Sequence, residues 1–306
     1  MWYNKNSKLE RCKILNCSNI LNRFFSKTTL LDTIENGQNL CYGEIIKRYA
    51  LNENGTNKEL ISAIYSILGT SYRNEYFYKN TLLNNLIIKK HKLCSTKVLT
   101  ELPIGKSIAD FVTLNGKAVV YEIKTELDNL DRIETQIRDY YKCFPYVCIV
   151  TCTEHLNKVK ELFQSSNVGI YYFSKRNAIK IIQDPLPDLS QLDYSVMFKV
   201  LRKYEFEEVL KCCHKPLPQT TQFDYYKRCF DLFTTIDKEE IYKKILVILK
   251  QRCKIELEKF NDVPLELKML VYQSKFCDTQ YQTLFDFLNA DYSSGGREDV
   301  FSIFEG

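Results

Sequence analysis

From Asn74 onward the apolar positions change period several times, and the changes outline a domain. Over NEYFYKNTLLNNLIIKKHKL (74–93), Phe77, Leu82, Leu83, Leu86 and Ile87 fall on one helical face, with Asn74 placed as an N-cap. Three short segments rich in β-branched residues follow: KVLTELPI (97–104), IADFVTL (108–114) and AVVYEIK (118–124). They read as strands. Helical spacing returns over 126–144, where Leu130, Ile133, Ile137, Tyr141 and Phe144 make a buried stripe. YVCIVT (146–151) is apolar throughout and predicts a strand covered on both faces. A helix (about 154–165) and a strand (168–173) come next. The strand–helix–strand passage from 118 to 151 predicts a parallel pair joined by a right-handed crossover. The strands on either side of Asn115-Gly116 must instead be antiparallel.

The flanks read as helical. NRFFSKTTLLDTI, YGEIIKRYAL and NKELISAIYSILGTSY are amphipathic pieces, and NENGTN (52–57) is a turn cluster. DPLPDL (184–189) marks a boundary, after which helices are expected over about 191–213, 222–235, 237–260 and 264–290. SSGGRED (293–299) reads as a loose tail. The expected organisation is a helical region (1–73), an α/β core of order αβββαβ with a mixed sheet (74–183) and a second helical region (184–306).

Composition narrows the class. The 306 residues are 45% hydrophobic and 26% charged, as in globular proteins with a real core. No apolar run is long enough to span a membrane, and the N-terminus lacks the apolar stretch of a secretory signal. Twelve cysteines without C-x-x-C then fit a reduced cytoplasm, acting as small hydrophobes. Neither Cys143, Cys148 and Cys152 nor Cys212, Cys213 and His214 has zinc-site spacing. The net charge of +5 is spread along the chain, so it is compatible with nucleic acid without requiring it. Lys243, Lys244, Lys250, Arg252 and Lys254 read as a solvated face.

Charge interrupts two of the strands. Alternation puts Glu122 and Lys124 on one face, roughly 6.5–7 Å apart, with Val119, Tyr121 and Ile123 on the other. A strict two-residue turn at Asn115-Gly116 would set Asp110 opposite Tyr121, away from Glu122. One extra turn residue, with Gly116 left-handed, sets Asp110 opposite Glu122. The bulged register is the expected one, because it alone brings the carboxylates together. Two carboxylates so close repel unless a cation lies between them. Mg²⁺, or Mn²⁺ in its place, takes one or two carboxylates, waters and a phosphate oxygen. It polarises the phosphate and activates a water, and Lys124 can orient that water or stabilise developing charge. These groups together predict phosphodiester hydrolysis.

The Asp-x11-Glu-x-Lys pattern, the hairpin that carries it and the αβββαβ order resemble the PD-(D/E)XK nuclease superfamily over about Asn74 to Thr151. The resemblance implies a restriction-endonuclease-like fold, with Asp110 and Glu122 as metal ligands and Lys124 as the catalytic lysine. Ala109 stands where the family has proline. QIRDY supplies Gln136 and Tyr140, which resemble the QxxxY motif of the exonuclease-like branch. Arg132, Gln136 and Tyr140 then form one polar helical row that positions substrate. The surrounding sequence also resembles a set of bacterial proteins of that superfamily that have no assigned reaction. The superfamily often adds an acid from its first helix, which makes Glu75 a further candidate ligand, with Glu101 as the alternative. DNA is the implied substrate, RNA stays open, and phage defence or mobile-element conflict is the implied setting. A protein partner or homo-oligomer is also left open.

Plainer readings stand beside these. Glu122 and Lys124 could be a surface ion pair worth about 0–1 kcal/mol. Tyr140 could be a core-edge aromatic, and Glu75 an acid favoured by the helix dipole. Lys89 to Lys92 could complement a helix C-terminus or touch phosphate, and His91 could be a solvated histidine. A nuclease-like fold that binds DNA or protein without cutting, or a structural subunit of a complex, are the rival functions.

Overall fold

The computed structural model describes residues 19–37, 39–88, 95–253 and 255–292. The expectations for the N-terminal stretch, for Lys89 to Lys92 with His91, for Lys254 and for the tail lie outside the described residues, as does the Ile87 side chain. Helices α1 (Lys27–Asn36), α2 (Leu40–Arg48), α3 (Asn57–Ser71) and α4 (Glu75–Leu82) come first. Thr56 and Glu59 close a capping box on α3, and Asn74 caps α4 by accepting from Phe77 N at 3.0 Å. A π-helical turn, Leu83–Ile88, continues α4. Strands β1 (Lys97–Ile104), β2 (Ser107–Asn115) and β3 (Lys117–Lys124) lead to α5 (Ile133–Tyr141) and β4 (Tyr146–Thr151). Next come α6 (Leu156–Phe163), β5 (Gly169–Phe173) and β6 (Ile179–Gln183). Helices α7 (Tyr194–Val200), α8 (Lys203–Cys212), α9 (Gln222–Phe233) and α10 (Lys238–Gln251) follow. The last are α11 (Leu257–Asp262), α12 (Lys268–Ser274) and α13 (Asp278–Asn289). Among the described residues no helix is long and apolar enough to cross a membrane.

The chain divides into two compact units, residues 1–84 with 255–306, and residues 85–254. This differs from three consecutive regions, and side-chain chemistry explains the difference. Helix α4 joins the first unit because Asn80 Nδ2 donates to Leu265 O at 2.9 Å and its Oδ1 accepts from Met269 N at 3.0 Å. Asn57 ties α3 to the far end of the same unit, donating to Phe287 O at 3.0 Å.

The second unit is an α/β fold built on one mixed sheet in the order β1-β2-β3-β4-β5-β6. Pairings β1–β2, β2–β3 and β5–β6 are antiparallel, while β3–β4 and β4–β5 are parallel. The predicted antiparallel hairpin and parallel crossover are both present; β6 was not predicted. One face of the sheet carries Val112, Leu114, Val120, Val147 and Ile149. They belong to a core with Ile133 and Ile137 of α5 and with Phe198, Phe206, Phe233 and Ile245 of α7–α10. The helices after residue 184 are thus part of the sheet's own core as far as α10.

The long helices predicted there are interrupted. The stretch 191–213 breaks at Leu201 and Arg202, whose ψ angles of 142° and 166° are extended. Glu205 stabilises the new start by accepting from Arg202 N at 2.7 Å. The helix predicted from 126 begins only at Ile133, because Asp128 Oδ2 accepts from both Thr125 N and Thr125 Oγ1 at 2.8 Å and folds a turn there.

Arg252 corrects the solvated-face reading. Its Nε donates to Glu205 Oε1 at 2.6 Å, its Nη2 pairs with Glu205 Oε2, and Nη2 also reaches Val200 O at 2.8 Å. Burial would raise the Glu205 pKa, but the Arg252 and Arg202 donors outweigh it and the net shift is downward. Arg252→Ala should therefore lower unfolding free energy by about 3 kcal/mol, the usual cost of stranding a buried charge. Since the folded pKa is depressed, the wild-type pair stabilises fully above the unfolded carboxylate pKa of about 4.3 and weakens as pH falls through the lower folded value. Urea unfolding at pH 7 and pH 3 should show the two proteins converging at the lower pH.

Candidate functional site

The hairpin turn sets the site. Gly116 adopts φ +69°, a left-handed conformation that glycine takes without a Cβ clash, and Asn115 pairs with Lys117 across it. The register then runs Leu114 with Ala118, Val112 with Val120 and Phe111 with Tyr121. Pairing stops there, and the next positions along the two strands are Asp110 and Glu122, the ones that the bulged turn sets opposite. On the other side of β2, pairs Thr100–Phe111 and Leu102–Ala109 bracket Glu101 and Asp110. By position, Glu101, Asp110 and Glu122 therefore fall in one acidic row across three strands spaced about 4.8 Å apart, just past the last paired residues of β2 and β3. Glu101 is exposed and has φ +52°, a conformation that costs a non-glycine residue about 1 kcal/mol or more.

Glu122 is only 1% exposed. Its Oε1 accepts from Lys124 Nζ at 2.8 Å and from Gln136 Nε2 at 2.6 Å. Its Oε2 is bonded to the Tyr140 hydroxyl, which also donates to Ile108 O at 2.8 Å. One phenolic proton faces two acceptors there. A proton on the Glu122 carboxyl would satisfy both, and burial does push the Glu122 pKa up against the lowering influence of Lys124, Tyr140 and Gln136. The Tyr140 pKa is also raised, first by burial and then by the Glu122 charge, so the phenol keeps its proton. Asp110 Oδ2 accepts from Ile123 N at 2.7 Å, which fixes it beside Glu122.

Helix α5 holds a second point on the hairpins through Asp139, which sequence reasoning missed. Asp139 Oδ2 accepts from Lys106 N at 3.1 Å and Ser107 Oγ at 2.9 Å, and its Oδ1 pairs with Lys142 Nζ at 2.8 Å. Gly105, at φ +64°, passes so close that a Cβ there would lie 3.0 Å from Asp139 Cγ. The G-K-S turn after a strand was the available signal. Of the remaining candidates, Arg132 is exposed at the N-cap of α5 and makes no side-chain cap bond. Glu75 lies in the other unit, ion-paired with Lys79. A cluster outside the predicted set, Glu126, Cys152 and Glu154, has its ligand atoms within 4.8 Å of one another at the ends of β3 and β4.

Asp110 and Glu122 offer an all-oxygen donor pair of the kind Mg²⁺ takes. Glu122 Oε2 keeps capacity beyond its bond to Tyr140. Gln136 adds an independent sign of fit. Its Nε2 must face the carboxylate, which leaves Oε1 buried without a hydrogen-bond partner. A water on a bound cation would supply the missing donor.

Residues 69–271 match the family model described as Bacteriophage P4 protein cII. The match covers more than half of the chain, and the chain belongs to that family. It is 29% identical over 129 residues to Protein cII of Enterobacteria phage P4, covering 40% of this chain and 48% of that protein. The chain thus spans about half the length of the curated relative it matches. No solved structure matches significantly.

Replacing both members of a buried ion pair by uncharged residues of similar shape removes two desolvation costs. In EDTA, Glu122→Gln combined with Lys124→Met should be more stable than wild type at pH 8, by about 1 kcal/mol. A carboxyl with a raised folded pKa contributes full stability below its unfolded pKa and loses it as pH rises through the folded value. The gap should therefore close toward pH 4, as read by thermal melts across pH.

Proposed function

We propose that this member of the cII family is a metal-dependent nuclease with a restriction-endonuclease-like core of the PD-(D/E)XK type, acting on DNA. The observation that carries the reading is the convergence on Glu122: Lys124, Gln136 and Tyr140, two, fourteen and eighteen positions beyond it, all bond its carboxylate, and Asp110 Oδ2 bonds the neighbouring Ile123 N. A solvated ion pair would recruit none of the helix side chains.

Asp110 and Glu122 would hold a divalent ion, which would supply Lewis-acid polarisation of a phosphate oxygen and a more acidic water. The chain's own groups account for the rest. Lys124 brings an ammonium to the same carboxylate edge, where it offsets charge gathering on phosphate oxygens as water adds and the P–O bond to one sugar breaks. Gln136 orients Glu122 through Nε2 and presents Oε1 as an acceptor for a water proton. Tyr140, protonated, fixes both Glu122 and the backbone at Ile108. Glu101, at the open end of the acidic row, is the nearest candidate for an additional ligand. A phage relative supports a setting among mobile genetic elements.

Incubation of linear and circular DNA with Mg²⁺ or Mn²⁺ should yield cleavage products on gels. Asp110→Ala and Lys124→Ala should each lower the rate by about 10²–10⁴. Variants as fast as wild type would remove the assigned site. A wild type inert on DNA and RNA would leave a nucleic-acid or protein-binding module as the better reading.

A further inference from the structure

Two tight turns with basic tips flank the acidic row at one end of the sheet. Strand directions require this. β1 runs into the Gly105-Lys106 turn, and β2 leaves it antiparallel to β3, so the turn lies at the end where β3 finishes. β4 and β5 run parallel to β3, so the turn joining β5 to β6 lies at that end too. Measured across the sheet alone, with strands about 4.8 Å apart, the first turn is offset about 5 Å to one side of the Asp110–Glu122 pair and the second about 14 Å to the other, and both tips lie several residues beyond the pair along the strands.

Both turns are rigidly made. Asp139 grips the first through Lys106 N and Ser107 Oγ. In the second, Ser174 N donates to Ala178 O and Asn177 N to Ser174 O, each at 2.9 Å, and Ala178 N donates to Ser174 Oγ at 3.2 Å. Asn177 closes it at φ +57°. Lys106, Lys175 and Arg176 are exposed at the tips. Between the turns the strand ends carry Glu126 and Glu154, so charge along this end runs basic, acidic, basic. A polyanion would be repelled at the centre unless a cation sits there, and attracted on both sides.

We infer that Lys106 on one side, and Lys175 with Arg176 on the other, bind the sugar-phosphate backbone of a nucleic acid lying along this end of the sheet. Resting on the nuclease reading for what happens at the centre, the inference places the Lys175–Arg176 contact several nucleotide steps from the phosphate at the acidic row. Phosphate contacts of this kind set position and affinity rather than sequence preference.

The full chain is titrated against a fluorescein-labelled 20-base-pair duplex, and separately its single strand, by anisotropy at several salt concentrations. Each titration is run in EDTA and in Ca²⁺, with the label checked intact on gels. Lys175→Gln with Arg176→Gln should weaken binding at least tenfold and reduce the log–log salt slope by about 1–2. Lys106→Gln should weaken it about threefold, and Ca²⁺ should tighten wild-type binding. Lys117→Gln, at the opposite end of the sheet, should bind as wild type. Wild-type affinity and slope when Lys106→Gln is combined with Lys175→Gln and Arg176→Gln, an equal loss in the Lys117 control, or no binding by the unsubstituted chain would each overturn the inference. A chain that binds through these turns but cleaves nothing removes the nuclease reading alone. One that cleaves while the turn variants bind and cut unchanged removes the inference alone.

Discussion

A carboxylate buried to 1% exposure needs hydrogen bonds and a positive charge, and Glu122 organises its surroundings around that need. The cation comes from its own strand two residues on, because alternation puts Lys124 on the same face. The donors come from α5, where Gln136 and Tyr140 stand one helical turn apart and reach different oxygens of one carboxylate. Sheet and helix can satisfy the group only in one relative placement. The cost of burying Glu122 is therefore also what specifies how α5 lies on the sheet.

The same helix acts on the strands at two further points. Tyr140 reaches Ile108 O and Asp139 accepts from Lys106 N and the Ser107 hydroxyl, so the start of β2 is fixed just before Asp110. Asp139 and Tyr140 are adjacent in sequence, yet one grips a turn and the other a carboxylate. That division works because Gly105 lets the turn pass within contact of Asp139. Its left-handed φ and lack of a Cβ are both used.

Much of this was legible before any coordinates. Asn115-Gly116 between two alternating strands announced the hairpin, and the demand that Asp110 and Glu122 meet selected the bulged register. Gln136 and Tyr140 were legible as a helical row beside an apolar stripe. What escaped was long-range. Asp139 looks like any polar helix residue, because its partners lie 32 and 33 positions away. Arg252 sits in a run of basic residues that suggests solvent, and Glu205, 47 positions earlier, together with Val200 O turns it inward. The helix breaks at Leu201 and Asp128 were hidden because local side-chain bonds to the backbone, rather than Gly or Pro, end the helical pattern there.

The C-terminal helices as far as α10 also bear on the chemistry of the site. Their apolar residues share one core with the sheet face that carries Glu122 and with α5. Tyr242 of α10 goes further: its hydroxyl accepts from Ala118 N at 3.0 Å, at the start of the strand that ends in Glu122 and Lys124. A sheet face left open there would admit water, lower the desolvation of Glu122 and loosen the hydrogen bonds that α5 makes to it. The low-dielectric setting that raises the Glu122 pKa and strengthens the pull of Lys124 is thus a product of residues as far along as Leu249. Helices α7 to α10 are thus a wall of the site rather than an appendage to it.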